Sequence, residues 1–217
     1  MNKLTYLHIA PRQTTPGKAP LLVMLHGYAE DETRMASLSA QLDPRLHIVS
    51  VRAPIRLKKG SYAWCHVRFT PLGPSDNVCE AEESRFMLVD MLKSFPQKLG
   101  CDATNIYVMG FSQGATMALN LALSIPERLA GAASLCGRAL PETLTAPEYP
   151  EAMRGLPVLL IASLEDTVVP IRHVRATYQA LQDSGMTVTW REFSAGHEIL
   201  PEMIQTLNGW LQEQLNA

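Results

Sequence analysis

The chain has no cysteine motif. Cys65, Cys79, Cys101 and Cys136 are scattered without a C-x-x-C spacing or a metal-ligand pattern, which excludes a zinc ribbon or a dithiol redox motif. Free thiols fit a reducing compartment. Long apolar runs are missing too. The longest, around "LPVLLIASL" at 156–164, is about half of what a bilayer crossing needs, and "MNKLTYLHIAPRQ" at the start lacks the apolar core of a signal peptide. The expectation is a soluble, cytoplasmic protein with no stable membrane insertion. Charge of either sign is scarce as well: 19 Lys and Arg against 21 Asp and Glu leave a formal net charge of -2. A concentrated basic face for nucleic acid is therefore not expected, and the short cluster Arg56, Lys58, Lys59 reads as a solvated loop. No glycine-rich phosphate loop, dinucleotide fingerprint or zinc constellation is present, so no cofactor and no metal are expected.

What remains is 217 residues, 47% of them hydrophobic, without repeats or low-complexity tracts. That is enough to bury a substantial core as one domain over 1–217. Strand-length apolar runs alternate with helix-length amphipathic stretches. An edge strand is expected at 4–10 and a strand covered on both faces at 20–27. A helix follows at 31–42, with Met35, Leu38 and Leu42 on one face, then a strand at 46–54. Residues 55–77, rich in Gly and Pro and holding Tyr62, Trp64 and Phe69, read as a long ordered but irregular segment. A helix from Cys79 to Leu99 has an acidic first turn, Phe86 to Leu92 toward the core, and Gly100 beyond its end. Strands at 106–109, 131–137, 156–163 and 187–193 and helices at 115–124, 171–183 and 199–215 complete the order, with an irregular stretch at 138–156. This alternation implies an α/β fold: a mostly parallel central sheet with helices on both faces. Ligands in such sheets bind beyond the carboxyl ends of the strands.

One of those ends carries "GFSQG", residues 110–114. A G-x-S-x-G string alone is weak, but this one follows a strand and opens a helix, the context that turns it into a nucleophile elbow. Glycines at 110 and 114 let the chain reverse without a Cβ striking a neighbouring element, which lifts the Ser112 hydroxyl clear of the sheet. A serine hydroxyl needs a base, and the base an orienting acid. In this architecture they follow in the order Ser, acid, His. "LLIASLEDTVVP" supplies Asp166, with Glu165 as rival acid, and "VTWREFSAGHEIL" supplies His197. Of six histidines, only His197 lies downstream of both at a strand end; His8, His47, His66 and His173 read as structural. Oxyanion donors are expected from the backbone N–H of Gln113 and of Tyr28 in the loop "HGYAED", which His26 braces without taking part in proton transfer.

At this point the chain resembles the phospholipase/carboxylesterase group of α/β-hydrolases, which includes the acyl-protein thioesterases, from about residue 20 to the end. "LHGYAED" is similar to their L-H-G-x-G-x-D loop, "GFSQGATMAL" to their nucleophile elbow and "LCGRALP" to their L-S-G-x-L-P segment. "EDTVVP" and "GHEI" resemble their acid and base loops, and "YAWCHV" a tryptophan-containing segment near their site. The resemblance implies an α/β-hydrolase fold with a minimal lid and a small serine esterase acting on carboxylic esters, with thioesters a further option. It carries over Ser112, Asp166 and His197 as triad and Tyr28 and Gln113 as oxyanion donors, and it allows monomer or homodimer. Three positions depart from the pattern. Ala29 and Ser163 stand where glycines are usual, and "WCHV" lacks the aspartate that commonly follows the aromatic pair.

The expected substrate is a small-molecule or lipid ester of short to medium acyl length. Trp64, Leu72, Leu140 and Tyr149 lie on loops placed to wall an apolar acyl pocket, with ordinary packing an equal alternative for each. Cys136 reads as a buried small residue rather than a second nucleophile. A peptidase or amidase with the same triad, an acyl-protein thioesterase or lysophospholipase, and a non-catalytic binding protein on the same fold are the alternatives.

Overall fold

The computed structural model describes residues 3–144 and 150–217. In chain order it contains β1 (Tyr6–Ile9), β2 (Leu21–Leu25), α1 (Glu32–Ala36), β3 (His47–Val51), β4 (Ile55–Lys58), β5 (Ser61–Ala63), β6 (Val67–Thr70), β7 (Gly73–Asp76) and α2 (Val78–Leu99). The second half contains β8 (Ile106–Phe111), α3 (Gln113–Ser124), β9 (Gly131–Leu135), α4 (Pro141–Leu144), α5 (Pro150–Met153), β10 (Pro157–Ser163), α6 (Ile171–Asp183), β11 (Thr187–Phe193) and α7 (Pro201–Leu215).

Seven strands form the central sheet in the order β1-β3-β2-β8-β9-β10-β11. All neighbours are parallel except the edge pair β1/β3, which is antiparallel with Tyr6 opposite Val51. The continuous apolar runs of β2, β8, β9 and β10 follow from this placement: a strand with helices above and below has no face left for polar side chains. Alternate residues of β2 divide between two cores. Leu21, Val23 and Leu25 pack with side chains of α2, α3 and α6, whereas Leu22 and Met24 pack with those of α1 and α7. Each such aliphatic side chain contributes roughly 1.5–3 kcal/mol by leaving water.

Three expectations are corrected. The helix expected over 31–42 is shorter, five α-helical residues followed by a 3-10 turn at Ser39–Gln41, although Met35, Leu38 and Leu42 are all buried. Phe86 does not face the core; it is 60% exposed under the Arg85 guanidinium, 4.4 Å from its ring centroid. The inward face of α2 is instead Ala81, Ser84, Leu88, Leu92 and Phe95. Finally, residues 55–77 are not irregular. They fold as two hairpins, β4/β5 and β6/β7, with strands of three and four residues that are too short to show an alternating pattern. Among the described residues no helix is long and apolar enough to cross a membrane.

Candidate active site

Ser112 sits between the last residue of β8 and the first of α3 with φ 53° and ψ -117°, a strained backbone that costs of order 1–3 kcal/mol. The glycines on either side permit it. A Cβ on Gly110 would lie 2.2 Å from the Gly114 carbonyl carbon, and one on Gly114 would lie 2.1 Å from the Leu25 carbonyl oxygen. Both obstacles are backbone, so neither can swing aside. The Ser112 N–H is held by the Leu135 carbonyl at 2.9 Å, which ties the turn to β9.

The three residues separated widely in sequence meet here. The Ser112 hydroxyl lies 2.7 Å from His197 Nε2, and His197 Nδ1 lies 2.6 Å from Asp166 Oδ2. A carboxylate only accepts, so Nδ1–H donates to Asp166 and Nε2 is left to accept from the serine. The other Asp166 oxygen takes the Val168 and Val169 N–H groups, each at 2.8 Å, so the carboxylate is fixed by the turn that opens α6. Its side chain is 1% exposed. Glu165, the rival acid, points to solvent. The Phe111 ring stands 5.1 Å from the His197 ring and limits its tilt.

The loop after β2 approaches from the other side. His26 is fully buried: its Nε2 accepts from the Ala53 N–H at 3.0 Å, which leaves Nδ1–H to donate to the Gly27 carbonyl at 2.7 Å. Accepting from Ala53 needs the neutral ring, and burial holds the His26 imidazole below its ordinary value against the opposing pull of the Gly27 bond. Glu30 turns back to accept from the Gly27 N–H at 2.8 Å. Ala29 adopts φ 65°, so the departure from glycine leaves the chain in the left-handed region, pinned by Ala29 N–H to the Tyr62 carbonyl and Tyr62 N–H to the Glu30 carbonyl. Among the described residues neither the Tyr28 N–H nor the Gln113 N–H makes a hydrogen bond, and both residues line the cleft.

The Gln113 side chain points the other way. It accepts from the Trp64 N–H at 2.8 Å and donates to the Cys65 carbonyl at 2.8 Å, stapling the segment between the hairpins to the elbow. Trp64 in turn donates its indole N–H to the His26 carbonyl at 2.9 Å.

A cleft of about 360 Å³ opens over Ser112, walled by Tyr28, Val67, Phe69, Phe111, Val168 and Val169. Glu30, Asp76, Thr116 and Arg138 also line it. The expected pocket residues are corrected here, because Trp64, Leu72 and Leu140 are not in the wall. Trp64 and Leu140 are buried in the core, and Leu72 is 77% exposed at the tip of the β6/β7 hairpin. Tyr149 lies outside the described residues. Phe69 and Arg138 carried a usable signal, since one is an aromatic in the 55–77 segment and the other a lone cation in "LCGRALP". Cys136 is buried at φ 53°, its Sγ 3.2 Å from Ser163 Oγ, and burial pushes the thiol up to about 11. Such a thiol is a poor nucleophile. Among the described residues no group of three or more His, Cys, Asp or Glu is placed to hold a metal ion.

Sheet order, an elbow on the strand before α3 and a Ser–His–Asp line at the carboxyl edge define the class: an α/β-hydrolase. Residues 9–215 match the phospholipase/carboxylesterase family, and the chain belongs to it. It is 27% identical over 119 residues to the probable carboxylesterase SOBER1-like of Arabidopsis thaliana, a match covering 54% of this chain and 45% of that protein. The chain thus spans about half the length of the curated plant relatives it matches. The fold is similar to that of the Bacillus cereus carboxylesterase (TM-score 0.83, 18% identity, 97% of this chain and 94% of that one). It is also similar to that of Zea mays acyl-protein thioesterase 2 (TM-score 0.80, 23% identity, 97% and 99%).

Proposed function

We propose that this protein hydrolyses carboxylic esters through an acyl-Ser112 intermediate. The observation that carries the proposal is the unbroken line from the Ser112 hydroxyl through His197 to Asp166, with contacts of 2.7 and 2.6 Å. Ser112 Oγ attacks the ester carbonyl carbon while its proton passes to His197 Nε2. The Gln113 and Tyr28 N–H groups receive the oxyanion, Asp166 stays ionised beside the imidazolium, and the same proton leaves with the alcohol as the C–O bond breaks. Water then repeats the sequence on the acyl-enzyme and releases the acid. A cleft of about 360 Å³ with an apolar wall, near the lower end of small-molecule sites, supports short to medium acyl groups. No cofactor enters this scheme, and the partner is a small-molecule or lipid ester.

The test is turnover of 4-nitrophenyl esters graded from acetate to decanoate, with Ser112→Ala alongside. The variant is expected to lose about 10⁴-fold or more in kcat with its melting temperature kept, and a fluorophosphonate should label only the wild type. Retention of wild-type turnover in Ser112→Ala ends the proposal. Thioester hydrolysis is a second reading, favoured by the likeness to the maize acyl-protein thioesterase fold. Matched butyryl ester and butyryl thioester substrates measure which bond the site prefers.

A further inference from the structure

The cleft wall contains one feature that an apolar acyl pocket does not need. Gly137 packs against the elbow so closely that a Cβ there would lie 2.4 Å from the Ala115 Cβ and 3.0 Å from the Ser112 carbonyl oxygen. The next residue, Arg138, is thereby directed from the end of β9 into the cleft. Its guanidinium meets Asp76 Oδ2 at 2.5 Å, the Pro74 carbonyl at 2.8 Å and the Ala139 carbonyl at 3.4 Å. A guanidinium has five N–H donors. Among the described residues, these bonds leave the Nε–H and one Nη1–H without an acceptor. The side chain is only 10% exposed, and the rest of the wall includes Val67, Phe69, Phe111, Val168 and Val169.

From this placement we infer that Arg138 selects esters bearing a carboxylate a few bonds from the scissile carbonyl. The inference rests on the esterase reading above and names the substrate class of that same site. A plain hydrocarbon chain laid over Arg138 strips water from its free donors and returns nothing, which is costly for a charged group. A carboxylate reaching one of these donors replaces that water with a charge-assisted hydrogen bond.

Asp76 permits a second anion to join the pair. Its carboxyl is held above its ordinary value, first by burial, against the opposing pull of Arg138. Burial therefore opposes the charge on Asp76 more than that on its exposed counterparts. An ion pair kept only for stability is a weak alternative, because buried pairs contribute little relative to apolar side chains of the same size. The other cleft carboxylate, Glu30, is already engaged by the Gly27 N–H and Arg34.

Two matched pairs of substrates, followed by proton release, test this. One pair is monoethyl glutarate against ethyl pentanoate, with the carboxylate on the acyl side. The other is O-butyryl glycolate against ethyl butyrate, with it on the alcohol side. In wild type, one anionic ester is expected to exceed its neutral match in kcat/KM by about 10-fold or more, the size of one charge-assisted hydrogen bond, and the winning pair names the side. Arg138→Met should reduce that ratio by about 10- to 100-fold, Arg138→Lys should keep part of it, and Asp76→Asn should keep or raise it. The wild-type ratio is decisive even if a variant fails to fold. Turnover of the neutral esters without carboxylate preference in either pair overturns the inference alone, as does an unchanged ratio in Arg138→Met. Absence of turnover for all four esters, together with absence of fluorophosphonate labelling, overturns the esterase reading and this inference with it.

Discussion

Two segments meet at Ser112, and they are built on opposite principles. The elbow, from Gly110 to Gly114, is shaped by its own backbone: two glycines that tolerate no Cβ and a serine held at φ 53°. The 55–77 segment has no such internal necessity. Its strands are three or four residues long, and it is held in place by bonds that reach elsewhere, to Gln113, His26, Ser84 and Arg138. A region specified by excluded volume is written as a short motif. A region specified by distant hydrogen bonds is not.

Substitutions can break either side of that comparison. The largest effect is expected at Gly114→Ala. Its Cβ would meet the Leu25 carbonyl oxygen at 2.1 Å, so α3 must move off β2, with a loss of about 4 kcal/mol or more and loss of turnover. Chemical denaturation and ester turnover check both, and a variant as stable and active as wild type would mean the elbow has room it does not show. Next comes Gln113→Leu, which keeps the backbone donor but leaves the Trp64 N–H and the Cys65 carbonyl without their partner. A loss of about 2–4 kcal/mol is expected from two unmet buried groups. Hydrogen exchange should speed up over 61–77 while protection of α3 persists; uniform loss of protection would contradict a local staple.

A smaller effect sharpens the role of His26. The folded protein holds this ring neutral, whereas the unfolded chain takes a proton near its ordinary value of about 6.5. Stability is therefore intact above that pH and lost as pH falls from the unfolded value toward the lower folded one. His8 and His47 are lowered in the same sense by burial and act equally in any His26 variant. His26→Asn should start less stable, yet lose less stability between pH 7.5 and 5.5 than wild type does. Equal drops in urea midpoint would remove His26 from the account. Smallest is Ala29→Gly. Relief of the φ 65° strain is worth roughly 1 kcal/mol, and added freedom of the unfolded chain takes back a similar amount. A change within about 0.5 kcal/mol by denaturation is expected, with ester turnover near wild type.

The same contrast explains what could be read without coordinates. Ser112 and Asp166 were identifiable because each follows an apolar run that a buried parallel strand accounts for, and His197 because chain order places the base after both, at the end of the last strand. The helix 171–183 and the strand 187–193 match their expected bounds. The pocket wall was not readable. Trp64 and Leu140 have the chemistry of a pocket wall, but they spend it on the core and on the His26 carbonyl. Leu72 stands out in solvent while its carbonyl is held by Arg172 and His173. Arg138 stands out locally only as a lone cation in "LCGRALP" and Asp76 not at all, and their meeting joins positions 62 residues apart.

Sequence alone determined the order of the central-sheet strands and the helices between them, the strained turn at Ser112 and the residue types at each strand's carboxyl end, because local sterics and burial on both sheet faces leave few other solutions. Only the tertiary structure decided which side chains face the cleft. That choice depends on where hairpins from one part of the chain come to rest against loops from another, and on which polar groups find partners when they do.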